Sequence, residues 1–371
     1  MGSRPALFLG CMVLLAGCGG QPVRGEMDAS PESDAPPTPT PERPAKDPAL
    51  ERRRAVGELL IVSFEGPVAP PEILDALRKR SIGGVILFSD NVTDEQQLRG
   101  LTKRLQRAAK GRALIAVDQE GGAVRIVPFA APDSPASEQG SGAGEAALAT
   151  ARDLDRLGIN VNLAPVADVA TEGSFLGARA FGSDPEAVAE AVVDSVRAHA
   201  DAGVATTVKH FPGLGRAAEN TDEAAVEIDA SKRDLERSDL VPFRAAVKAD
   251  AGLVMLGHAT YPALDARNIA SRSSAVVGLL REQLGYEGVI ITDSLEAAGS
   301  VGDGAVSVAR AARESVVAGV DIVLMTGSAS WGLARTELLA RARHDEDFAA
   351  RVEESAARVE ALKSELGLLK P

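Results

Sequence analysis

From residue 51 onward, short apolar runs alternate with longer stretches in which apolar residues recur at helical spacing. Short β-rich runs separated by amphipathic helices are typical of βα units and a parallel sheet. The runs occupy residues 59–66, 83–90, 113–120, 159–169, 204–211, 251–259, 288–295 and 320–327. Eight such units are the number found in a TIM barrel, so the pattern predicts an α/β fold with one (β/α)8-type barrel.

Several of these apolar runs end in charged or imidazole side chains. These residues are Asp118, Glu120, Asp168, Lys209, His210, His258 and Asp293. The carboxyl ends of barrel strands open onto one face, so we expect these side chains to converge in one pocket. A doubly wound sheet would also gather strand ends, but the glycine fingerprint that usually follows its first strand is missing.

The first fifty residues have a different composition. Residues 1–18 place one Arg before a short apolar stretch that ends in Leu-Ala-Gly-Cys, with Cys18 last. This order resembles a bacterial lipoprotein signal, in which cleavage leaves the Cys as a lipidated N-terminus; the alternative is an ordinary secretory signal. Residues 19–50 are rich in proline and poor in large apolar side chains, so we expect an extended tether before a barrel domain at 51–371. A lipid anchor in the bacterial envelope, outside the cytoplasm, would follow.

The charge of the chain argues against nucleic acid as a partner. Lys and Arg total 40 against 53 Asp and Glu, which gives a net charge of −13, and no basic block interrupts that balance.

The side chains expected in the pocket favour a hydroxyl-rich ligand such as a sugar. His210 and His258 follow different strands and lie beside cations, so we predict no metal site. No phosphate-binding glycine loop is present. Asp293 offers a carboxylate for covalent chemistry, although an Asp at this position could also cap the next helix.

Six ordered motifs carry a resemblance to a known family. They are VDQEGGAVRI, GINVNLAPVADV, GARAFGSDPEAV, VKHFPGLG, VMLGHATYPALD and LGYEGVIITDSLEAAG. Their order and spacing over residues 52–365 resemble the barrel domain of glycoside hydrolase family 3, and most closely its single-domain β-N-acetylhexosaminidase branch.

The resemblance implies a retaining glycosidase that works as a monomer without a cofactor. In it, Asp293 would attack the anomeric carbon and form a glycosyl-enzyme intermediate. The same resemblance implies a wall or hydrogen-bonding role for His258, and a surface salt bridge is the alternative for Arg125. The residues that it assigns to sugar-hydroxyl contacts are Asp118, Arg125, Arg179, Lys209 and His210.

One loop departs from the family pattern. In this branch the loop after the fifth strand typically reads K-H-F-P-G-H-G-D-T-x-x-D-S-H, and its final Asp and His form the acid/base dyad. Here Asn220 stands in place of the dyad Asp and Asp222 in place of the dyad His, while Leu214 replaces the first loop His. The dyad is therefore absent.

Three interpretations of this loop follow. Asp222 itself could be the acid/base, with Asn220 orienting it or binding the sugar. Alternatively, turnover could be slow and limited to substrates with good leaving groups, or the protein could be a sugar-binding envelope lipoprotein without turnover. We rank first the hydrolysis of terminal β-linked N-acetylhexosamine from cell-wall glycan fragments, because Asp293 and the sugar-contact set are intact. A phosphorylase ranks third, after the binder.

Overall fold

A computed structural model describes residues 47–302, 306–327 and 330–369. Eight parallel strands close into a barrel, which confirms the predicted fold class. We number the barrel strands along the chain as β1 (Leu60–Val62), β2 (Gly84–Ile86), β3 (Leu114–Val117), β4 (Val161–Asn162), β5 (Ala205–Phe211), β6 (Leu253–Leu256), β7 (Val289–Ser294) and β8 (Ile322–Met325). Each strand pairs in parallel with the next, and β8 pairs with β1 through Leu60 and Val323.

Helices lie on the outside of the barrel, before β1, between successive strands and after β8. They are α1 (Pro48–Glu58), α2 (Pro71–Arg78), α3 (Glu95–Ala108), α4 (Ala136–Gln139), α5 (Ala143–Leu157), α6 (Pro185–Asp201), α7 (Lys232–Asp234), α8 (Leu240–Lys248), α9 (Ser274–Gly278), α10 (Ala298–Val301), α11 (Val308–Ala318), α12 (Trp331–His344) and α13 (Glu346–Glu365). The π-helical turns Leu235–Asp239 and Leu279–Gln283 lie directly before α8 and after α9. Within the described ranges, no helix combines the length and the apolar character needed to cross a bilayer.

Alternation along each strand explains why the runs are apolar throughout. Ile61 packs inside the barrel, whereas its neighbours Leu60 and Val62 belong to the outer core beneath the helices. A parallel strand covered on both faces needs apolar residues at every position. The inner core also includes Leu362 of α13, which packs against the interior side chains of the strands.

The boundary predicted for the tether needs a correction. Residues 1–46, which include Cys18, lie outside the described residues, but Pro48–Leu50 belong to α1 and not to an extended segment. Asp47 starts this helix because its side chain accepts a hydrogen bond from the backbone N–H of Ala49, and Pro48 occupies a first-turn position.

Two irregularities in strand pairing lie beside the predicted site residues. The β5–β6 register shifts between Val208 and Phe211, and the β7–β8 register shifts between Ile291 and Ser294. Such bulges turn side chains away from the regular alternation and are common next to active sites. Here they bracket Lys209, His210 and Asp293.

Candidate active site

A cavity of about 460 Å³ opens at the carboxyl ends of the barrel strands. It is lined by polar side chains from several strands and loops together with apolar ones. The polar lining residues are Asp118, Glu120, Arg179, Lys209, His210, Asn220, Thr221, Asp222, Asp293, Ser294, Glu296 and Thr326. The convergence predicted for the strand ends therefore holds for most of the candidate residues.

A buried ionic cluster forms one side of this cavity. Lys209, at the end of β5, places Nζ 2.6 Å from Oδ1 of Asp118 and 2.7 Å from Oε1 of Glu120. Arg179 donates two hydrogen bonds to Glu120, Nε to Oε2 at 2.8 Å and Nη2 to Oε1 at 2.9 Å. Glu120 thus joins two of the predicted sugar-contact cations, Lys209 and Arg179.

The charges within the cluster compensate one another. Burial alone would raise the pKa of Glu120, but Lys209 and Arg179 lower it to about 2. Burial raises the pKa of Asp118 in spite of Lys209, and the negative charges of Glu120 and Asp293 add to this rise. Asp118 also keeps part of its side chain accessible at the cavity. The carboxylate of Asp118 is therefore the member of this pair that a bound hydroxyl can reach, whereas Glu120 holds the two cations in place.

His210 is oriented by a carboxylate from the neighbouring strand end. Its Nδ1 lies 2.7 Å from Oδ2 of the fully buried Asp168, the geometry in which Nδ1–H donates. The same carboxylate accepts the backbone N–H groups of His210, at 3.2 Å, and of Leu214, at 2.6 Å. These contacts fix the start of the loop that follows β5, and they leave Nε2 of His210 3.9 Å from Oδ2 of Asp293.

Asp293 lies at the end of β7 and faces the cavity. Its Oδ1 accepts the backbone N–H of Ser294 at 2.7 Å, and its side chain is 18% exposed. Burial would raise the pKa of Asp293, but the nearby rings of His210 and His258 and the hydrogen bond from the backbone N–H of Ser294 lower it overall. The carboxylate is therefore ionised at neutral pH, which is the state that a nucleophile requires.

His258 supports the end of β7 from within the protein. It is fully buried, with Nδ1 2.8 Å from the hydroxyl of Ser271 and Nε2 2.7 Å from the carbonyl oxygen of Ser294. Burial lowers its pKa, so the neutral ring donates to the carbonyl and accepts from the hydroxyl. The structure thus places His258 in hydrogen bonds behind Asp293 and not on the cavity wall. We therefore withdraw the wall role for His258 and keep the hydrogen-bonding role.

Arg125 also lies outside the cavity wall. It belongs to a short antiparallel ladder, Gln119–Gly121 with Val124–Arg125, and its guanidinium pairs with Asp133, whose side chain is 90% exposed. The surface salt bridge that was the alternative for Arg125 is the arrangement observed. Although the adjacent Val124 and Ile126 line the cavity, Arg125 does not, and we withdraw its sugar contact as well.

The loop after β5 brings Asn220 and Asp222 to the cavity. They interact with each other: the backbone N–H of Asp222 donates to Oδ1 of Asn220 at 3.0 Å, which is an Asx turn. The backbone around them is pinned to the segment after β7, since Ala298 N–H donates to the carbonyl of Asp222 and Gly299 N–H to that of Thr221. A Cβ on Gly299 would lie 2.7 Å from the Thr221 oxygen, so this approach requires glycine. The side chain of Asp222 itself is exposed.

Three carboxylates in or beside the site had no role assigned to them from sequence. Glu120 and Asp168 end apolar runs, so the pattern that selected Asp118 and Lys209 also contained them. Glu296 follows Asp293 by three residues and gave no separate signal. Its Oε2 accepts the backbone N–H of Thr326 at 2.9 Å and its other oxygen accepts the hydroxyl of Ser330. Within the described ranges, no group of three His, Cys, Asp or Glu side chains could hold a metal ion.

The barrel, with its carboxylates and cations at one mouth, defines the class of enzyme. Residues 53–362 match the glycosyl hydrolase family 3 N terminal domain, and the chain belongs to this family. It is a glycoside hydrolase.

Individual relatives agree with this assignment. An uncharacterized secreted glycosyl hydrolase of Arthroderma benhamiae is 34% identical over 344 residues, which cover 86% of this chain and 95% of that protein. A beta-hexosaminidase of Xanthomonas oryzae is 33% identical over 279 residues, 72% of this chain and 83% of that protein. The solved structure of a family 3 beta-N-acetylglucosaminidase from Paenibacillus matches with a TM-score of 0.80 at 33% identity, over 85% of this chain and 62% of the other.

Proposed function

We propose that this protein hydrolyses terminal β-linked N-acetylhexosamine with retention, through a covalent intermediate on Asp293. The observation that carries the proposal is the carboxylate of Asp293 in the cavity wall, with Oδ2 3.9 Å from Nε2 of His210. The relatives named as hexosaminidases supply the sugar class.

The remaining side chains of the cavity would bind the pyranose. Asp118 accepts hydrogen bonds from sugar hydroxyls, while Lys209, Arg179 and His210 surround the same space as donors. A carboxylate opposite several cations suits a ring whose hydroxyls both donate and accept. The contacts that these side chains already make with Glu120 and Asp168 would hold them in position before substrate arrives.

Asp222 is our proposed acid/base. It occupies the position of the dyad His in the family pattern, lines the cavity and is exposed, with Oδ2 3.4 Å from the side-chain amide nitrogen of Asn220. Glu296 lines the same cavity, but both of its carboxylate oxygens already accept hydrogen bonds from Thr326 or Ser330. A carboxyl group that must exchange protons with a leaving group and with water is better served by the exposed Asp222.

Covalent trapping tests the nucleophile. The full chain would be incubated with a 5-fluoro glycosyl fluoride of N-acetylglucosamine and digested, and we expect mass spectrometry to find the glycosyl adduct on the peptide that carries Asp293. Asp293→Asn is the matched control and should give no adduct. If the enzyme hydrolyses aryl N-acetylglucosaminides rapidly and yet no adduct forms on Asp293, the covalent mechanism is wrong.

The sugar class is tested separately with aryl β-glycosides. We expect the N-acetylglucosaminide to be hydrolysed with a kcat/KM at least tenfold above that of the glucoside, because a pocket built for the 2-acetamido group loses contacts when that group is absent. Equal rates would contradict the hexosaminidase assignment without affecting the role of Asp293. Binding without turnover of either sugar would favour the envelope sugar-binding protein instead.

We also propose that Cys18 is lipidated, that the enzyme acts as a monomer at the cell envelope, and that its substrates are cell-wall glycan fragments. The relative named as secreted is consistent with a position outside the cytoplasm. Labelling of cells with a clickable palmitate analogue should mark the wild-type chain and not Cys18→Ser. An unlabelled wild-type chain would contradict the anchor.

A further inference from the structure

A second and larger cavity lies at the opposite end of the barrel strands from the candidate active site. It has a volume of about 650 Å³ and is bordered by α1, α12 and the turns that lead from α2 into β2 and from α3 into β3. We call it the basic cavity. Its lining residues are Leu50, Arg53, Arg54, Leu77, Arg78, Lys79, Arg80, Ser81, Ala109, Lys110, Arg112, Arg335, Leu339 and Arg343.

The charge of this lining is opposite in sign to the net charge of the whole chain. Nine of the fourteen residues are Arg or Lys and none is acidic, although the chain as a whole carries a net charge of −13. A concentration of one sign of charge in a concave surface attracts counter-ions of the other sign. The basic cavity therefore has the field of an anion-binding site.

Four of the nine cations already have carboxylate partners at the edge of the cavity. Arg80 and Arg112 both reach Glu360, at 2.8 and 3.0 Å, and they also lie beside Glu58. Arg54 pairs with Glu51, and Arg78 pairs with Asp75. These four pairs leave the charges of the other five lining cations without a carboxylate partner in the described ranges.

The other five cations form no salt bridge with any residue in the described ranges. They are Arg53, Lys79, Lys110, Arg335 and Arg343. Arg335 lies closest to the protein interior of this group: its Nε is inaccessible to solvent and has no hydrogen-bond partner, and the same is true of Nε of Arg112. Burial and the nearby charge of Arg53 lower the pKa of Arg335. Like charges held together in this way repel one another, and a bound anion would offset that repulsion.

We propose that the basic cavity binds a ligand that carries phosphate groups. Arg guanidinium groups donate paired hydrogen bonds that match phosphate oxygens, and several are available within one concave surface. The volume is in the range of small-molecule sites and can accommodate more than one phosphate group. The phosphate could belong to a soluble molecule or to a lipid headgroup, and the two sources are distinguished by experiment. This proposal does not depend on the glycosidase mechanism.

The test uses the full chain with Cys18→Ser, so that no lipid anchor contributes to binding. Calorimetry with inorganic tripolyphosphate measures the soluble source, and co-sedimentation with vesicles of phosphatidylglycerol and phosphatidylcholine measures the lipid source. The diagnostic variant is R53E/K110E/R343E, which changes three exposed side chains that pair with no described residue. K103E/K232E/K248E is the matched control, because it makes the same change of charge at exposed positions outside the cavity.

We expect the cavity variant to lose at least about tenfold in affinity while the control variant keeps its affinity. Tripolyphosphate binding without vesicle binding would assign a soluble ligand, and vesicle binding that tripolyphosphate displaces would assign a lipid headgroup. If the Cys18→Ser chain without further changes binds neither probe, or if both variants lose affinity equally, the proposal is overturned. Thermal unfolding of both variants checks that they remain folded.

Discussion

The strand ends and the loops around the catalytic cavity hold their polar side chains in different ways. At the strand ends, the partner of a side chain is far away in sequence: Lys209 bonds Asp118 across 91 positions and His210 bonds Asp168 across 42. On two of the loops, the partner is local: Asp222 bonds Asn220 two positions away, and Arg125 bonds Asp133 eight positions away. Side chains fixed by distant partners depend on the whole barrel, whereas local pairs form within one loop.

The difference separates two kinds of requirement. Groups proposed to grip the sugar must be aligned before substrate binds, and long-range partners provide that alignment for Lys209 and His210. A proton donor on an exposed loop can be exchanged for another type of residue without disturbing the barrel. Under our proposal, Asp222 takes the place of the His of the family pattern in this way, and the strand-end residues stay unchanged.

The largest effect is expected for the strand-end carboxylate. Asp293→Asn keeps the shape of the side chain but removes the proposed nucleophile, and we expect kcat on an aryl N-acetylglucosaminide to fall roughly 10⁴-fold or more. Circular dichroism should show unchanged unfolding. A loss of only tenfold would mean that another group performs the attack.

On the loop side, Asp222→Asn should reduce hydrolysis of a natural disaccharide by roughly 10² to 10⁴-fold, because the leaving group needs protonation. Hydrolysis of a substrate with an activated aryl leaving group should change far less. Steady-state rates on both substrates provide the measurement.

Glu296→Gln is the matched control for that experiment, since it removes a second carboxylate from the same cavity. We expect it to affect both substrates alike, through the loss of its hydrogen bonds to Thr326 and Ser330. If Glu296→Gln shows the leaving-group dependence and Asp222→Asn does not, the acid/base is Glu296.

The free energy of unfolding should depend strongly on the buried ionic cluster at the strand ends and little on an exposed lysine. Lys209→Met leaves Asp118 and Glu120 without their shared cation, and removing one partner from a buried ionic cluster costs roughly 3–5 kcal/mol. Urea denaturation measures this change in the free energy of unfolding. Lys248→Met, at an exposed position without a salt bridge in the described chain, should change it by less than about 0.5 kcal/mol. Similar losses in the two variants would show that the cluster is not a stabilising unit.

A buried histidine that packs against the barrel should also make the free energy of unfolding depend on pH. His199 in α6 is buried, with Nε2 3.0 Å from the side-chain amide of Asn162 in β4, and burial lowers its pKa to about 4. Since the unfolded pKa is near 6.5, the stability contributed by the neutral ring is complete above about pH 6.5. It is lost as the pH falls toward 4, by about 3 kcal/mol in total.

Urea denaturation between pH 4 and 7 measures that slope, and His199→Gln should flatten it. Glu120 contributes little to this slope. Its pKa is lowered from 4.5 to about 2, so the stability that it contributes is lost mainly between pH 4.5 and 2. An unchanged slope in His199→Gln would contradict the assignment.

The smallest effect on activity is expected for Arg125, the other loop residue with a local partner. Arg125→Gln breaks a salt bridge with the exposed Asp133 and a hydrogen bond to the carbonyl of Pro128, both outside the cavity, so kcat/KM should stay within about twofold of the wild type. Arg179→Gln is the comparison, because Arg179 lines the cavity and bonds Glu120, and it should reduce kcat/KM by tenfold or more. Equal effects would mean that Arg125 moves to the substrate on binding.

The candidate site was predictable where it lies at strand ends. Asp118, Lys209, His210 and Asp293 could be selected because each follows an apolar run, and parallel strands bring their carboxyl ends together. Arg125 and His258 also belong to the six family motifs, yet neither lines the cavity. Arg125 lies on a hairpin and pairs with an exposed Asp133, and His258 is buried behind β7. Motif membership does not specify the direction of a side chain. Glu120 and Asp168 were visible as strand-end charges, but their partners were not.

The sequence by itself determined the number of strands, the barrel class and the family, because these depend on local order and spacing along the chain. Only the tertiary structure decided which carboxylate shares which cation, which residues line the catalytic cavity and that a second, basic cavity exists. Those properties come from contacts between positions far apart in sequence. No local pattern contains them, since the distance between such positions is set by the closure of the barrel.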